Sequence, residues 1–138
     1  LGDNKKIMEL IKTRKLDEKL SLEVFDFHGQ TVYESNGKWL HPLLDLEKFL
    51  TTNSLDASQL ILHDRIAGRA AASLAVLFGF KYVKLCLASS LAVEIYDKYN
   101  VYFEAEEIVE RILCKTEELI KKEMSLIEVH KFIKERAK

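Results

Sequence analysis

The sequence predicts an α/β domain: a three-layer α/β/α sandwich built on a five-stranded mixed sheet, with an N-terminal antiparallel hairpin followed by parallel strands. Three observations predict it. Two short strand-like runs, 20–27 and 31–34, flank the turn residues His28-Gly29-Gln30. From Gln59 onward, apolar strand-like runs alternate with helix-like ones, an order that calls for right-handed crossovers between parallel strands. Amphipathic stretches near both ends supply helices to cover the sheet.

Each element follows from its own pattern. Asp3 to Leu16 reads as a helix with Ile7, Met8, Leu10 and Ile11 on its apolar face. The hairpin ends at Ser35-Asn36-Gly37, and Pro42 suits the first turn of a helix running to about Leu50. Gln59 to Leu62 reads as a buried strand, followed by a helix from about Arg65 to Phe78 that Gly79 would stop. Lys81 to Leu87 is the next strand. Ser89 or Ser90 caps a helix to about Lys98, and Val101 to Phe103 is a short last strand. Glu106 to Lys121 has helical apolar spacing through Ile108, Val109, Ile112, Leu113, Leu119 and Ile120. Ser125 and Glu128 have capping-box spacing, which predicts a final helix. Residues 1–138 read as one domain with a core at about 20–117, an N-terminal helix at 3–16 and a C-terminal helical extension at about 122–138.

Composition limits the function classes. Across 138 residues, 48% are hydrophobic and 31% charged, which fits a globular domain able to bury a full core. The 21 basic and 22 acidic residues leave a net charge of −1, so nucleic acid is not expected as a partner. The longest uncharged apolar run, Ala70 to Phe80, is too short to cross a bilayer, so no membrane partner is expected either. No charged-then-apolar leader pattern opens the chain, and Cys86 and Cys114 make no disulfide framework; a cytoplasmic location is the simplest expectation. Abundant Lys, Glu and Ile with a single proline point toward a thermophile.

The segment Leu60 to Phe80 carries the main candidate site. Asp64, Arg65, Gly68 and Arg69 would stand where a strand hands over to a helix N-terminus, a place where α/β proteins bind ligands. On one helix side, Arg65 and Arg69 could hold a phosphate or carboxylate, with Gly68 allowing close backbone approach. A purely structural reading also stands: Asp64 as a cap, the arginines solvated, and Gly68 with Ala70 to Ala72 serving tight packing. No phosphate-loop or dinucleotide glycine spacing is present.

Other candidates are weaker. Ser89 and Ser90 could flank the same sheet edge, with helix capping the simpler reading. Cys86 reads as core. Cys114, beside Lys115 and near Arg111, is the candidate catalytic group, with Glu117 or Asp64 as partner; packing is the simpler role. No His or Cys spacing matches a zinc motif, so neither a metal nor a cofactor is expected, and only distant residues could assemble a metal site.

Several of these residues carry a family resemblance. The run Asp64-Arg65-Ile66-Ala67-Gly68-Arg69-Ala70-Ala71-Ala72, then Ser89-Ser90-Leu91-Ala92, and finally Cys114-Lys115-Thr116-Glu117 resemble a prokaryotic domain-of-unknown-function family. That family shows an Asp-Lys/Arg-x-x-Gly-Lys-Ala-Ala-Ala signature and a late Cys-Pro-x-Glu element. The resemblance spans about Leu20 to Glu117, with Arg69 where the family has lysine and Lys115 where it has proline. It implies a cytidine deaminase-like fold. Deaminase zinc chemistry needs His/Cys-x-Glu and Pro-Cys-x-x-Cys elements. Here the matching positions read Ile66-Ala67-Gly68-Arg69 and Ala88-Ser89-Ser90-Leu91-Ala92, so zinc-dependent deamination is not expected. The leading expectation is a zinc-free domain binding a small anionic or nucleotide-like ligand through Asp64, Arg65, Gly68, Arg69, Ser89 and Ser90. The alternatives are an enzyme of unassigned reaction using Cys114, or an interaction module in which the helices of Glu106 to Lys121 and beyond Ser125 build a homodimer.

Overall fold

A computed structural model describes residues 2–112, 115–120 and 123–138. Strands β1 (Leu22–Asp26), β2 (Thr31–Ser35), β3 (Leu60–Ala67), β4 (Tyr82–Ser89) and β5 (Tyr102–Val109) form one sheet in the order β2-β1-β3-β4-β5. β1 runs antiparallel to both β2 and β3, whereas β3, β4 and β5 are mutually parallel. This is the expected five-stranded mixed sheet. No described helix is long and apolar enough to cross a membrane.

Local chemistry sets most of the element ends. At the hairpin, Asp26 Oδ1 accepts from the backbone N–H of His28 (2.9 Å) and Gln30 (3.0 Å), and Gly29 supplies the positive φ of 85°. Pro42 opens α2 (His41–Thr52). Gly79, at φ 103°, ends α3 (Arg69–Phe78) and returns its N–H to the carbonyls of Ala75 and Val76. Ser89 caps α4 (Ser90–Lys98) by accepting from Ala92 N–H at 3.1 Å. Ser125 and Glu128 complete the capping box of α6 (Leu126–Arg136).

The two faces of the sheet are covered differently. Because side chains alternate along a strand, Leu22, Val24, Leu60, Leu62, Val83 and Leu85 face the larger core. α3 lies central on that face, packed against α4 and α6, and α6 adds the buried Val129 and Ile133. On the opposite face α1 (Gly2–Thr13) buries Ile7 and Ile11 against Phe25 and Ile61. This i, i+4 apolar pair, with Leu10 packed beside it, seats α1.

Three expectations fail, each where strand pairing overrides local pattern. The helix expected from Arg65 starts at Arg69, and Asp64 and Arg65 lie in β3 with Gly68 as the N-cap. β3 is central: Asp64 is paired with Leu22 on one side and Leu85 on the other, and Arg65 N–H donates to Ser21 O at 2.9 Å. The last strand does not stop at Phe103 but runs to Val109, opposite Ser89. The helix expected over Glu106 to Lys121 is therefore replaced at its start by β5, and among the described residues only α5 (Lys115–Leu119) is helical there. The exposed edge of β4 offers those residues a backbone ladder that their helical apolar spacing does not reveal.

Candidate functional site

Where β3 runs out toward α3, the larger-core face opens into a cavity of about 420 Å³. Its lining comes from five places: Ser21 before β1, Gly37, Trp39 and Leu40 after the hairpin, Asp64 to Ile66 on β3, the start of α3, and Ile112 with Thr116 around α5. The C-terminal ends of parallel strands are the usual location for an α/β ligand site. The Trp39 backbone is left-handed, at φ 57°, and its indole N–H donates to Thr116 Oγ1 at 3.0 Å. That bond ties the loop after the hairpin to α5 across the cavity.

Asp64 is a buried carboxyl in the wall of the cavity. It is buried between the strand neighbours Leu22 and Leu85. Burial pushes its carboxyl up to about 7, against a partial opposing pull from the N–H groups of Arg65 and Ile66 and the Arg65 charge. Near neutral pH it is therefore both a proton donor and an acceptor. Behind it lies Tyr96, fully buried, with its phenol raised by burial and by the Asp64 charge. The first turn of α3 meets the same cavity through Gly68, Ala70 and Ala71, and no side chain caps it. Its leading N–H groups have no partners within the helix.

The structure gathers part of the expected site. Asp64, Arg65 and Gly68 all line the cavity. The Arg65 guanidinium, however, is anchored by carbonyls, donating from Nε and Nη2 to Leu20 O (3.1 and 2.7 Å) and from Nη2 to Asp17 O (2.7 Å). Arg69 is buried with Nη2 3.7 Å from Glu94 Oε2, and it is not among the lining residues. Arg65 and Arg69 do not share a helix side, because the first is in a strand. Ser89 is spent on capping α4, and Ser90 Oγ lies 3.4 Å from Val109 O. Cys114 lies outside the described residues, and Glu117 is described only as a helical position of α5. Cys86 is half-buried, and burial followed by the Glu106 charge pushes its thiol up.

Sequence reasoning missed Trp39, Leu40, Ile112 and Thr116 as cavity residues. The one available signal was the chain's single tryptophan standing between Gly37 and Pro42, in a loop rather than an apolar stripe. It also missed a polar cluster beneath α1. There Glu23 accepts from Arg14 Nε (3.2 Å) and Nη2 (3.0 Å), and its Oε2 lies 3.1 Å from His63 Nδ1. Burial alone would raise the Glu23 carboxyl, but hydrogen bonds with His63 and Arg14 and the Arg14 charge bring it down to about 2.

No family model matches the sequence, and no curated protein matches it. Among solved structures, the chain superposes on a DUF1893 family protein from Thermotoga maritima with a TM-score of 0.75. The two share a fold. At 19% identity, the match covers 98% of this chain and 90% of that one. The likeness is one of architecture, and the site chemistry rests on this chain's own residues.

Proposed function

We propose that the cavity over Asp64 binds a small nucleotide-like ligand, a ring system carrying an anionic group. The observation that carries this reading is a buried carboxyl, at about 7, facing a 420 Å³ cavity beside an uncapped helix start. The volume suits a small molecule. Trp39, Leu40, Ile66 and Ile112 give the cavity an apolar lining for a ring. Asp64 can donate to or accept from a ring edge, and the first N–H groups of α3 favour an anion. The strand order and the helices on both faces are in keeping with a cytidine deaminase-like fold, whose members act on nucleosides. Zinc at the deaminase position does not fit this chain: residues 66–69 and 88–92 contain no His, Cys or Glu. The reading is therefore one of ligand binding without that metal chemistry.

Trp39 is the only tryptophan, so its fluorescence reports on the cavity directly. Titrating nucleosides, nucleotides and phosphorylated metabolites should give a saturable Trp39 signal and a raised melting temperature for at least one of them. Asp64→Asn should weaken that ligand about tenfold or more, a loss of about 1.4 kcal/mol. A panel without any binder, or an Asp64→Asn protein that binds unchanged, would sink the reading.

A second reading is favoured by one observation. Ile112 and Thr116, which bracket Cys114 in sequence, both line the cavity of Asp64. A thiol chemistry using Cys114 with Asp64 or Glu117 then predicts faster alkylation of Cys114 than of Cys86, slowed by the cavity's ligand. Equal alkylation rates, or no protection by ligand, would remove it.

A further inference from the structure

We infer that the α1 face of the sheet holds a second site, a zinc site made by His63, Cys86 and Glu106. One ring nitrogen of His63, the Cys86 sulfur and a Glu106 carboxylate oxygen all lie within 4.8 Å of one another. The three residues come from three adjacent strands, β3, β4 and β5. They lie on the face opposite Asp64, since His63 and Asp64 are consecutive in a strand.

The histidine supplies the independent observation. His63 is fully buried, and its Nε2 has no hydrogen-bond partner among the described residues. A buried nitrogen left this way has given up its bond to water with nothing in return. Its other nitrogen is already fixed, since Nδ1 lies 3.1 Å from Glu23 Oε2 and Glu23 is held in turn by Arg14. An Nδ1–H donated to Glu23 leaves the lone pair on Nε2. A carboxylate behind a histidine is the usual second-shell support for a metal-binding imidazole.

The remaining groups agree. Nitrogen, sulfur and carboxylate oxygen together are a zinc donor set, with bonds of about 2.0–2.3 Å. Tetrahedral angles then require donors roughly 3.5 Å apart, so the group must close further, and Glu106, the exposed member of the three, has the freest side chain to move. A cleft of about 300 Å³ lined by Cys86 and Glu106 gives access from solvent and room for a fourth, water ligand. Five basic residues line that cleft, Lys12, Arg14, Lys15, Arg65 and Lys84; Lys84 Nζ is held by Lys12 O (3.0 Å) and Arg14 O (2.7 Å), Arg65 by Leu20 O and Asp17 O, and Arg14 by Glu23. Arg65 Nη1, 3.9 Å from the Cys86 sulfur, would lie beside the thiolate. On binding, the Cys86 thiol loses its proton to solvent and its sulfur bonds the metal, with no change of oxidation state.

Cobalt(II) is the spectroscopic probe for such a site. Titrating the metal-stripped full chain with Co²⁺ should give one equivalent of tight binding and a thiolate-to-cobalt charge-transfer band in the near ultraviolet. Zn²⁺ should displace the cobalt and abolish the band. Cys86→Ser should remove the band, and Cys114→Ser should keep it. Glu106→Gln, at an exposed position that leaves folding intact, should weaken cobalt at least about tenfold. A wild-type chain that shows no band overturns the site. So does a band that survives Cys86→Ser, or unchanged affinity in Glu106→Gln.

Discussion

Glu23 and Asp64 are two buried carboxyls that the sheet sets almost side by side, yet they titrate in opposite directions. Glu23 pairs with His63 across the ladder, and Leu22 pairs with Asp64. One step along each strand thus changes the face, and with it the company. Glu23 sits among Arg14 and His63, which carry its carboxyl down to about 2. Asp64 sits between leucines and rises to about 7. Both are nearly closed off from solvent, at 4% and 9% exposure, so low exposure alone does not set the ionisation state. The side chains supplied to each face do. The polar face keeps its carboxyl charged, whereas the apolar face leaves a carboxyl near neutrality.

The contrast can be broken most strongly at Asp64. Its folded value is above the unfolded one, so its contribution to stability is full below about pH 3.8 and is lost as pH rises through about 7. The loss is on the order of 4 kcal/mol across that window. Asp64→Asn should abolish this limb, leaving a flatter profile in urea unfolding between pH 4 and 8. A variant with the wild-type slope would place the raised carboxyl elsewhere.

Glu23 gives the opposite limb. Its folded value is depressed, so its contribution is present above about pH 4.5 and is lost as pH falls through about 2. The expected size is on the order of 3 kcal/mol. Glu23→Gln should therefore be less stable than wild type at pH 7 and should converge with it near pH 2. Arg14→Lys is the mildest of the three changes. It keeps the charge but loses the two-pronged grip on Glu23, made through Nε and Nη2. About 1–2 kcal/mol should be lost at pH 7, read as a lower urea midpoint with unchanged slope. An unchanged midpoint would assign the low Glu23 value to His63 instead.

What the sequence discloses follows the reach of each interaction. The hairpin turn, the Gly79 stop, the Ser89 cap and the Ser125–Glu128 box are written within a few residues, and all were legible. The lengths of β3 and β5 depend on strands far away in the chain, so local spacing misreads their C-terminal halves as helix. The same limit applies to the site. Asp64 draws attention by its place before an alanine-rich helix, and it lines the cavity from the strand rather than from the turn. The Glu23 cluster joins residues 9 and 40 positions apart, and nothing in either local pattern announces the pairing. Polar residues inside otherwise strand-like runs, such as Glu23 and His63, were the only trace of it.

The long final strand has a further consequence. β5 stands at the end of the sheet, so among the described residues its outer backbone groups have no ladder partner in the strand order. An unprotected edge of eight residues would be a template for another chain, and for growth into fibres. Glu104, Glu106 and Glu107 lie along that edge. Two such edges brought together set carboxylate against carboxylate, and the repulsion keeps them apart. Charges that look like surface decoration thus oppose the joining of one sheet to the next.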